Sequence, residues 1–316
     1  MKISVVMSTY NGQQYIEEQL ESIYKQYRQP DQVLIIDDDS TDNTVELINK
    51  FISNYKLLNW SVEVNRENIG WKRNFWRALS KSNGDIIFLA DQDDIWYPNK
   101  IQRMMEVFAS KDRISLLACG YDALYSDFNM ERDLGAEAYQ DTKSVIQITL
   151  KNRYFKGRAG CAFAVSRKLF NQVQRAYDYV VPHDEFLLNC SILDESCFEL
   201  DEILLQHRKF ANSVTSSIRK KKKVKDAQYL INRYQRNLER LNSWNNMLNK
   251  LLIMKIFPQN VDLIKEFIDA NKLRLRLLKS NRLNVLIPVK IFLFNNKFYS
   301  KKTLLGDYLT DGKIDE

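Results

Sequence analysis

The sequence predicts an α/β fold, a mostly parallel central sheet covered by helices, followed by an α-helical and basic C-terminal extension. Three observations carry this. Strand-length apolar runs alternate with amphipathic segments through the first 120 residues. Polar, Asp-rich clusters close three of the strands. Charge then changes sign: residues 1–216 hold 25 Lys+Arg against 31 Asp+Glu, and residues 217–316 hold 22 against 9. The two parts should therefore meet different partners.

The elements follow in order. Ile3–Met7 is a short apolar run, and Asn11-Gly12 is a turn. Ile16, Leu20, Ile23, Tyr24 and Tyr27 recur at helical spacing, with Pro30 as the stop. Gln32–Ile36 is a second strand ending in Asp37-Asp38-Asp39-Ser40. Ser40 or Thr41 can cap the next helix, which carries Val45, Ile48 and Phe51. Trp60–Val64 is a third strand, a helix runs from Gly70 to about Ser82, and Asp85–Ala90 is a fourth strand. This βαβα order implies parallel pairing. Ser115–Tyr121, Gly160–Val165 and Glu199–Leu205 read as further strands, with a helix near Lys168–Val173.

Length and composition fit a catalytic domain over 1–216 and an extension over 217–316. The extension opens with a basic block, Arg219 to Lys225. Leu230, Tyr234, Leu238, Leu241, Trp244, Leu248 and Leu251 then step by three or four, and Pro258 separates a second helix over Val261 to Lys279. The four cysteines match no zinc spacing and read as buried thiols. Ile3–Met7 is too short for a signal-peptide core. Val285 to Phe294, ten residues with Pro288 and Lys290 inside, falls short of the ~20 needed to span a membrane. The expectation is a cytoplasmic protein, with a basic tail able to meet the inner face of the cell membrane peripherally.

Ligands of open α/β sheets bind outside the carboxyl ends of the strands. Three polar clusters fall there: Ser8-Thr9-Tyr10-Asn11, Asp37–Ser40 and Asp91-Gln92-Asp93-Asp94. Asp-x-Asp after an apolar strand sets two carboxylates on one side, oxygen ligands suited to Mg²⁺ or Mn²⁺. A cation held there neutralises a diphosphate leaving group. Asn68, Gly70, Lys72 and Arg73 open a helix with two cations at its positive end, a conflict that a bound anion removes. His183-Asp184-Glu185 offers a carboxylate able to act as general base on a hydroxyl.

These segments resemble the family 2 glycosyltransferases with a GT-A nucleotide-diphospho-sugar transferase fold, over roughly residues 1–216. Val5–Gly12 is similar to the family's first strand and nucleotide loop. Ile35–Thr44 is similar to its "DDGSTDGT" segment, with Asp39 where the family has Gly. Glu67–Gly70 and Asn74 resemble its "NxGxxxxxN" element. Phe88–Pro98 resembles "DxDD-x-W-x-P", the most specific match. By that resemblance Ser8, Tyr10 and Asp38 sit against the nucleotide, with Asp38 on the base. Asp91 faces ribose or phosphates, and Asp93 is the main metal ligand, Asp91 the second. Asp94 is left to the turn. Gly160 and Cys161 border the acceptor with His183 and Glu185. His183-Asp184 resembles the "HD" of the rhamnosyltransferase-like subgroup, whose Asp is the catalytic base. Gln206–Asn212 departs from that subgroup's "YRQHxxN": aligned on Asn212, the family His falls on Lys209 and the family Arg on His207.

The resemblance implies an inverting, metal-dependent transfer from a nucleotide-sugar donor to a saccharide or lipid-linked saccharide acceptor. Cell-surface polysaccharide or oligosaccharide synthesis is the expected setting, and a homo-oligomer is allowed. Nucleic acid is not expected. The rivals are a nucleotidyltransferase and a non-catalytic basic protein binding membrane or nucleic acid. Against the first, the sequence shows no Gly-rich, Arg/Lys-bearing loop near the start. For the second, Tyr229, Tyr234 and Trp244 fall at helical core spacing, which predicts burial.

Overall fold

The computed structural model describes residues 1–125, 136, 139–150, 158–210 and 227–278. It divides into two compact units, Met1–Gln174 with Pro182–Ala211, and Arg175–Val181 with Asn212–Glu316. The expected boundary at 216/217, the basic block 219–225 and the apolar segment 285–294 lie outside the described residues. The grouping of Arg175–Val181 with the second unit has no counterpart in the sequence reading.

Among its described residues the first unit carries nine strands: β1 (Ile3–Thr9), β2 (Gln32–Asp37), β3 (Trp60–Val64), β4 (Ile86–Ala90), β5 (Ile95–Trp96), β6 (Leu116–Tyr125), β7 (Val145–Gln147), β8 (Phe163–Ser166) and β9 (Cys197–Lys209). Six helices accompany them: α1 (Ile16–Tyr24), α2 (Thr44–Asn54), α3 (Trp71–Lys81), α4 (Lys100–Ser110), α5 (Arg167–Val173) and α6 (His183–Leu193). The sheet order is β3-β2-β1-β4-β8-β6-β9-β5, with β7 on β9. The run β3-β2-β1-β4 is parallel, as the βαβα order implies. Beyond it the sheet is mixed: β8 lies antiparallel between β4 and β6, and β6 and β9 are parallel. Val5, Val6 and Met7 in β1 and Ile87, Phe88 and Ala90 in β4 are all fully buried. Continuous burial is what a central strand with helices on both faces requires, and it explains the unbroken apolar runs.

Several boundaries move for physical reasons. The first helix ends at Tyr24, and Tyr27 is 73% exposed. Gln26 pulls the chain away: its Nε2 donates to the Ser22 and Tyr97 carbonyls at 3.1 and 2.8 Å, and the Tyr27 N–H donates to Pro98. Neither Ser40 nor Thr41 caps α2, which starts at Thr44; Ser40 turns back to Asp37, and Asp42 Oδ1 accepts the Thr44 N–H at 3.0 Å. Gly160–Ala162 forms one 3-10 turn before β8 rather than strand. The last strand extends to Lys209.

The second unit contains α7 (Ala227–Ile253) and α8 (Val261–Leu278), parted by a 3-10 turn at Pro258–Asn260. Leu241, Trp244, Leu248 and Leu251 are buried, as their spacing predicts, and Trp244 lies 5.9 Å from Phe267 of α8. All four cysteines are free and buried. Among the described residues no helix is long and apolar enough to cross a membrane.

Asp39 stands in the left-handed region at φ 66°, which accounts for glycine in the family pattern at this position. Asp tolerates this conformation better than most side chains. Asp39→Gly should leave the unfolding midpoint in urea unchanged or raised. Asp39→Val should lower stability by about 1–2 kcal/mol. A Val variant as stable as the parent would show that the backbone there is unconstrained.

Candidate active site

The carboxyl ends of β2, β1 and β4 are neighbours in the sheet, so the three polar clusters line one edge. On the first, the Thr9 hydroxyl donates to Asp37 Oδ2 at 2.6 Å, and Ser40 donates to both Asp37 oxygens. Thr9 is 1% exposed, so its side chain is taken up inside the protein. Ser8 accepts from Asn74 Nδ2 at 2.8 Å, and the same amide reaches the Ile36 carbonyl. Asn11 has φ 47°, and its Oδ1 accepts the Thr41 N–H at 2.9 Å. Tyr10 is 47% exposed at the mouth.

Asp38 is the anchor of the loop between β3 and α3. Its Oδ1 accepts from Asn65 Nδ2 at 2.7 Å and the Ile69 N–H at 2.9 Å, and its Oδ2 accepts the Gly70 N–H at 2.8 Å. With the side chain 2% exposed, one lone pair of Oδ2 remains for any base. Asn68 Oδ1 also accepts from Gly70 N–H, at 3.1 Å. Gly70 has φ 84°, the conformation that lets the chain enter α3 here. Lys72 and Arg73 follow in a first turn that carries no acidic residue.

The acidic run after β4 divides its work. Gln92 is bound at both ends of its amide to the Tyr10 backbone, at 2.9 and 3.1 Å, so it ties the β4 loop to the β1 loop. Asp94 is fully buried and does far more than serve a turn. Its Oδ1 accepts from His207 Nδ1 at 2.8 Å and from the Arg208 N–H at 3.1 Å, both on β9. Arg208 Nε also donates to the Asp93 carbonyl at 2.9 Å. Burial opposes charge on both Asp94 and His207. Their attraction and hydrogen bond overcome it, holding the Asp94 carboxyl low and the His207 imidazole high. Asp91 is pushed up to about 8 by burial, then by Asp94, Asp93 and Asp184, against His207. Asp93 rises to about 6, from burial and Asp94, with His207 and Arg208 opposing.

One group of ligand-bearing side chains gathers here. Single donor atoms of Asp91, Asp94, Cys161 and His207 all lie within 4.8 Å of one another. The two carboxylates suit a divalent cation, whereas His207, held toward its protonated form by Asp94, would have to lose that proton to join them. Cys161 fits less well, since burial and the nearby Asp94 and Asp91 push its thiol far above the usual range and keep it protonated. Asp93, the expected main ligand, stands outside this four-residue group, next to it in the chain.

Two neighbours were not foreseen. Lys100 is fully buried, its Nζ donating to the Cys161 carbonyl at 2.8 Å and lying 3.6 Å from the centre of the Trp96 ring. Burial holds its ammonium below the usual lysine range, with Cys119, Cys161, Asp94 and Asp91 pulling the other way. His207, which the alignment on Asn212 sets against the family Arg, stands on the acidic cluster through Asp94.

The third wall comes from α6. Asp184 and Glu185 stand in its first turn, where negative charge is favoured. Asp184 is half-buried against Gly160: a Cβ there would lie 2.8 Å from Asp184 Oδ2, so glycine alone permits the approach. His183 points inward, 4% exposed. It stacks on Phe75 at 4.3 Å and meets the edge of Trp71 at 5.7 Å. Burial pushes its pKa down to about 3, so it is neutral and joins α6 to α3 rather than moving protons. Asp38→Asn would turn an amide N–H₂ or a weaker acceptor toward donors that need a carboxylate. It should lower the unfolding free energy in urea by about 1–3 kcal/mol. No loss would show that Asp38 does not anchor the 65–70 loop.

Comparison with known proteins bears on this edge. The family model for glycosyl transferase family 2 matches residues 4–174, just over half of the chain. A dTDP-rhamnosyl transferase, RfbG, of Shigella flexneri is 40% identical over 104 residues, 32% of this chain and 36% of that protein. The poly(ribitol-phosphate) β-N-acetylglucosaminyltransferase TarS of Staphylococcus aureus is 36% identical over 102 residues, 32% of this chain and 17% of that one. The chain thus spans about a third or less of the length of these curated relatives. Among solved structures, TarS 1–349 of S. aureus in complex with UDP superposes with a TM-score of 0.62 at 16% identity, covering 100% of this chain and 88% of that one. The mannosyltransferase PcManGT of Pyrobaculum calidifontis, solved with GDP-Man and Mn²⁺, gives 0.55 at 15%, covering 98% and 86%. These likenesses show a shared GT-A fold. With the matched segment reaching from β1 through the acidic run to α5, the chain belongs to glycosyl transferase family 2.

Proposed function

We propose that the chain transfers a sugar from a nucleoside-diphosphate sugar to an acceptor hydroxyl, with Asp184 as the general base. The observation that carries this is the placing of Asp184 against Gly160, whose chain neighbour Cys161 belongs to the acidic cluster, within a family 2 chain. A base and a diphosphate-facing acidic cluster then border one crevice, as direct displacement requires.

Asp184 accepts the proton of the acceptor hydroxyl. That oxygen forms a bond to the anomeric carbon as the bond from this carbon to the diphosphate oxygen breaks. The nucleoside diphosphate leaves with the electron pair, and the anomeric centre inverts. Tyr10, Ser8, Asn11 and the loop anchored by Asp38 border the nucleotide, and Lys72 and Arg73 face its phosphates from α3. Asp91 and Asp93 are the proposed ligands of Mn²⁺ or Mg²⁺, with Asp94 and His207 beside them. The cation supplies charge neutralisation of the leaving diphosphate. The names of the relatives favour UDP-GlcNAc or dTDP-rhamnose as first donors to try. A saccharide or lipid-linked saccharide of cell-surface polymer synthesis is the acceptor class, and the basic C-terminal part suits an anionic membrane surface.

Release of nucleoside diphosphate, rather than pyrophosphate, from these donors tests the reaction class; pyrophosphate would move the chain to nucleotidyl transfer. Asp184→Asn and Asp93→Ala should each lower transfer by at least about 10²-fold while circular dichroism stays unchanged. Full activity in either removes that residue from the mechanism. Chelation should abolish transfer, and added Mn²⁺ or Mg²⁺ should restore it.

Metal binding should also depend on pH. Asp91 and Asp93, raised to about 8 and about 6, must lose protons to ligate. Mn²⁺ affinity measured by calorimetry should therefore climb between pH 6 and 8, with proton release. A flat profile would mean that these carboxylates are not the ligands.

A further inference from the structure

The turn Gly160–Ala162 is fixed before, within and after its three residues. Before it, Arg158 Nε donates to Glu199 Oε2 of β9 at 2.7 Å, a buried pair. After it, β8 is paired with β4 and β6. Within it, the Ala162 N–H donates to the Ala159 carbonyl at 3.0 Å, and the Cys161 carbonyl accepts from Lys100 Nζ at 2.8 Å. Lys100 opens α4 and is fully buried, and among the described residues its ammonium makes no ion pair. Its other neighbour is the face of Trp96, 3.6 Å away. Burying an ammonium on one carbonyl and one aromatic face is costly. A methionine would fill the same space without desolvating a charge, so stability alone does not account for a lysine here.

We propose that Lys100 is a positioning residue for Asp184, acting through the backbone of this turn. The inference rests on the reading of Asp184 as the general base. The link is spatial. A Cβ on Gly160 would lie 2.8 Å from Asp184 Oδ2 and 2.9 Å from Asp184 Cβ, so the carboxylate is seated on the backbone that Lys100 holds. A reacting group misplaced by about 1 Å can cost about 10²-fold in rate. The turn has therefore to be fixed in its middle as well as at its ends. The rival role is charge. Burial opposes the ammonium, and Cys119, Cys161, Asp94 and Asp91 favour it, so Lys100 could instead serve to offset the acidic cluster.

The test uses UDP-GlcNAc and dTDP-rhamnose as donor probes and methyl pyranosides as acceptor probes, with Mn²⁺. Lys100→Met should lower kcat for nucleoside diphosphate release by about tenfold or more, with circular dichroism unchanged. The donor KM and the calorimetric Mn²⁺ affinity should stay within about threefold. Lys100→Gln, which keeps a donor on a shorter stem, should lose less; if Lys100→Met does not fold, Lys100→Gln carries every measurement. Gly160→Ala displaces Asp184 with Lys100 intact. Combined with Lys100→Met it should be no slower than the slower single variant, because both act through one contact. Losses that multiply overturn the proposal, as does an unchanged kcat. A loss seen only in Mn²⁺ affinity also overturns it and assigns Lys100 to the charge of the acidic cluster. A second arm does not need turnover. Amide hydrogen exchange over residues 159–163 should quicken about tenfold or more in Lys100→Met while β1 stays protected. Unchanged exchange there overturns the proposal. Faster exchange together with full activity in Asp184→Asn would leave the hold on the turn standing and sink the reading of Asp184 as the base.

Discussion

The buried carboxylate of Asp94 joins the end of β4 to β9. Strands 113 residues apart in the chain are fixed to each other at the site by a 2.8 Å bond to His207 and a 3.1 Å bond to the Arg208 backbone. A buried carboxylate is tolerable only when it is paired and hydrogen-bonded. That requirement fixes the rest of the mouth. His207 must stay charged or donate at Nδ1, Arg208 must turn its guanidinium over the Asp93 carbonyl, and the acidic loop must close toward the last strand.

Charge is distributed here with unusual economy of contact. Lys100 lies under the loop, Arg208 and His207 close one side, and Asp91 and Asp93 remain with raised carboxyl groups. The interior resists ionising both of them together, because burial and like charge act in the same direction. A cation held by these carboxylates, as proposed above, would relieve that conflict. The pairing of Asp94 with His207 favours the charged form of that one member of the cluster.

The parallel half of the sheet was legible because its signal is local. Apolar runs of strand length, helical spacing and polar strand ends each occupy ten or so neighbouring residues, and β1 to β4 follow them closely. The three polar clusters met as expected for the same reason. What stayed hidden depends on distant partners. The Gln92 amide is engaged by the Tyr10 backbone and the Thr9 hydroxyl by Asp37, partners 82 and 28 residues away. The stacking of His183 on Phe75, 108 residues earlier, is likewise set by a distant partner. No spacing rule announces that Asp94 and His207 will touch, and nothing in a seven-residue window tells a buried lysine from a solvated one.

Lys100 has a mechanical consequence. Its ammonium grips the Cys161 carbonyl while its own helix begins just after the acidic loop, so the loop and the Gly160–Cys161 wall are strapped together. Asp184 rests on that wall. Any displacement of the acidic loop when a nucleotide is loaded would therefore reach the opposite side of the crevice. Under the proposed reading, any coupling of ligands on the two sides through this strap would act equally in both directions.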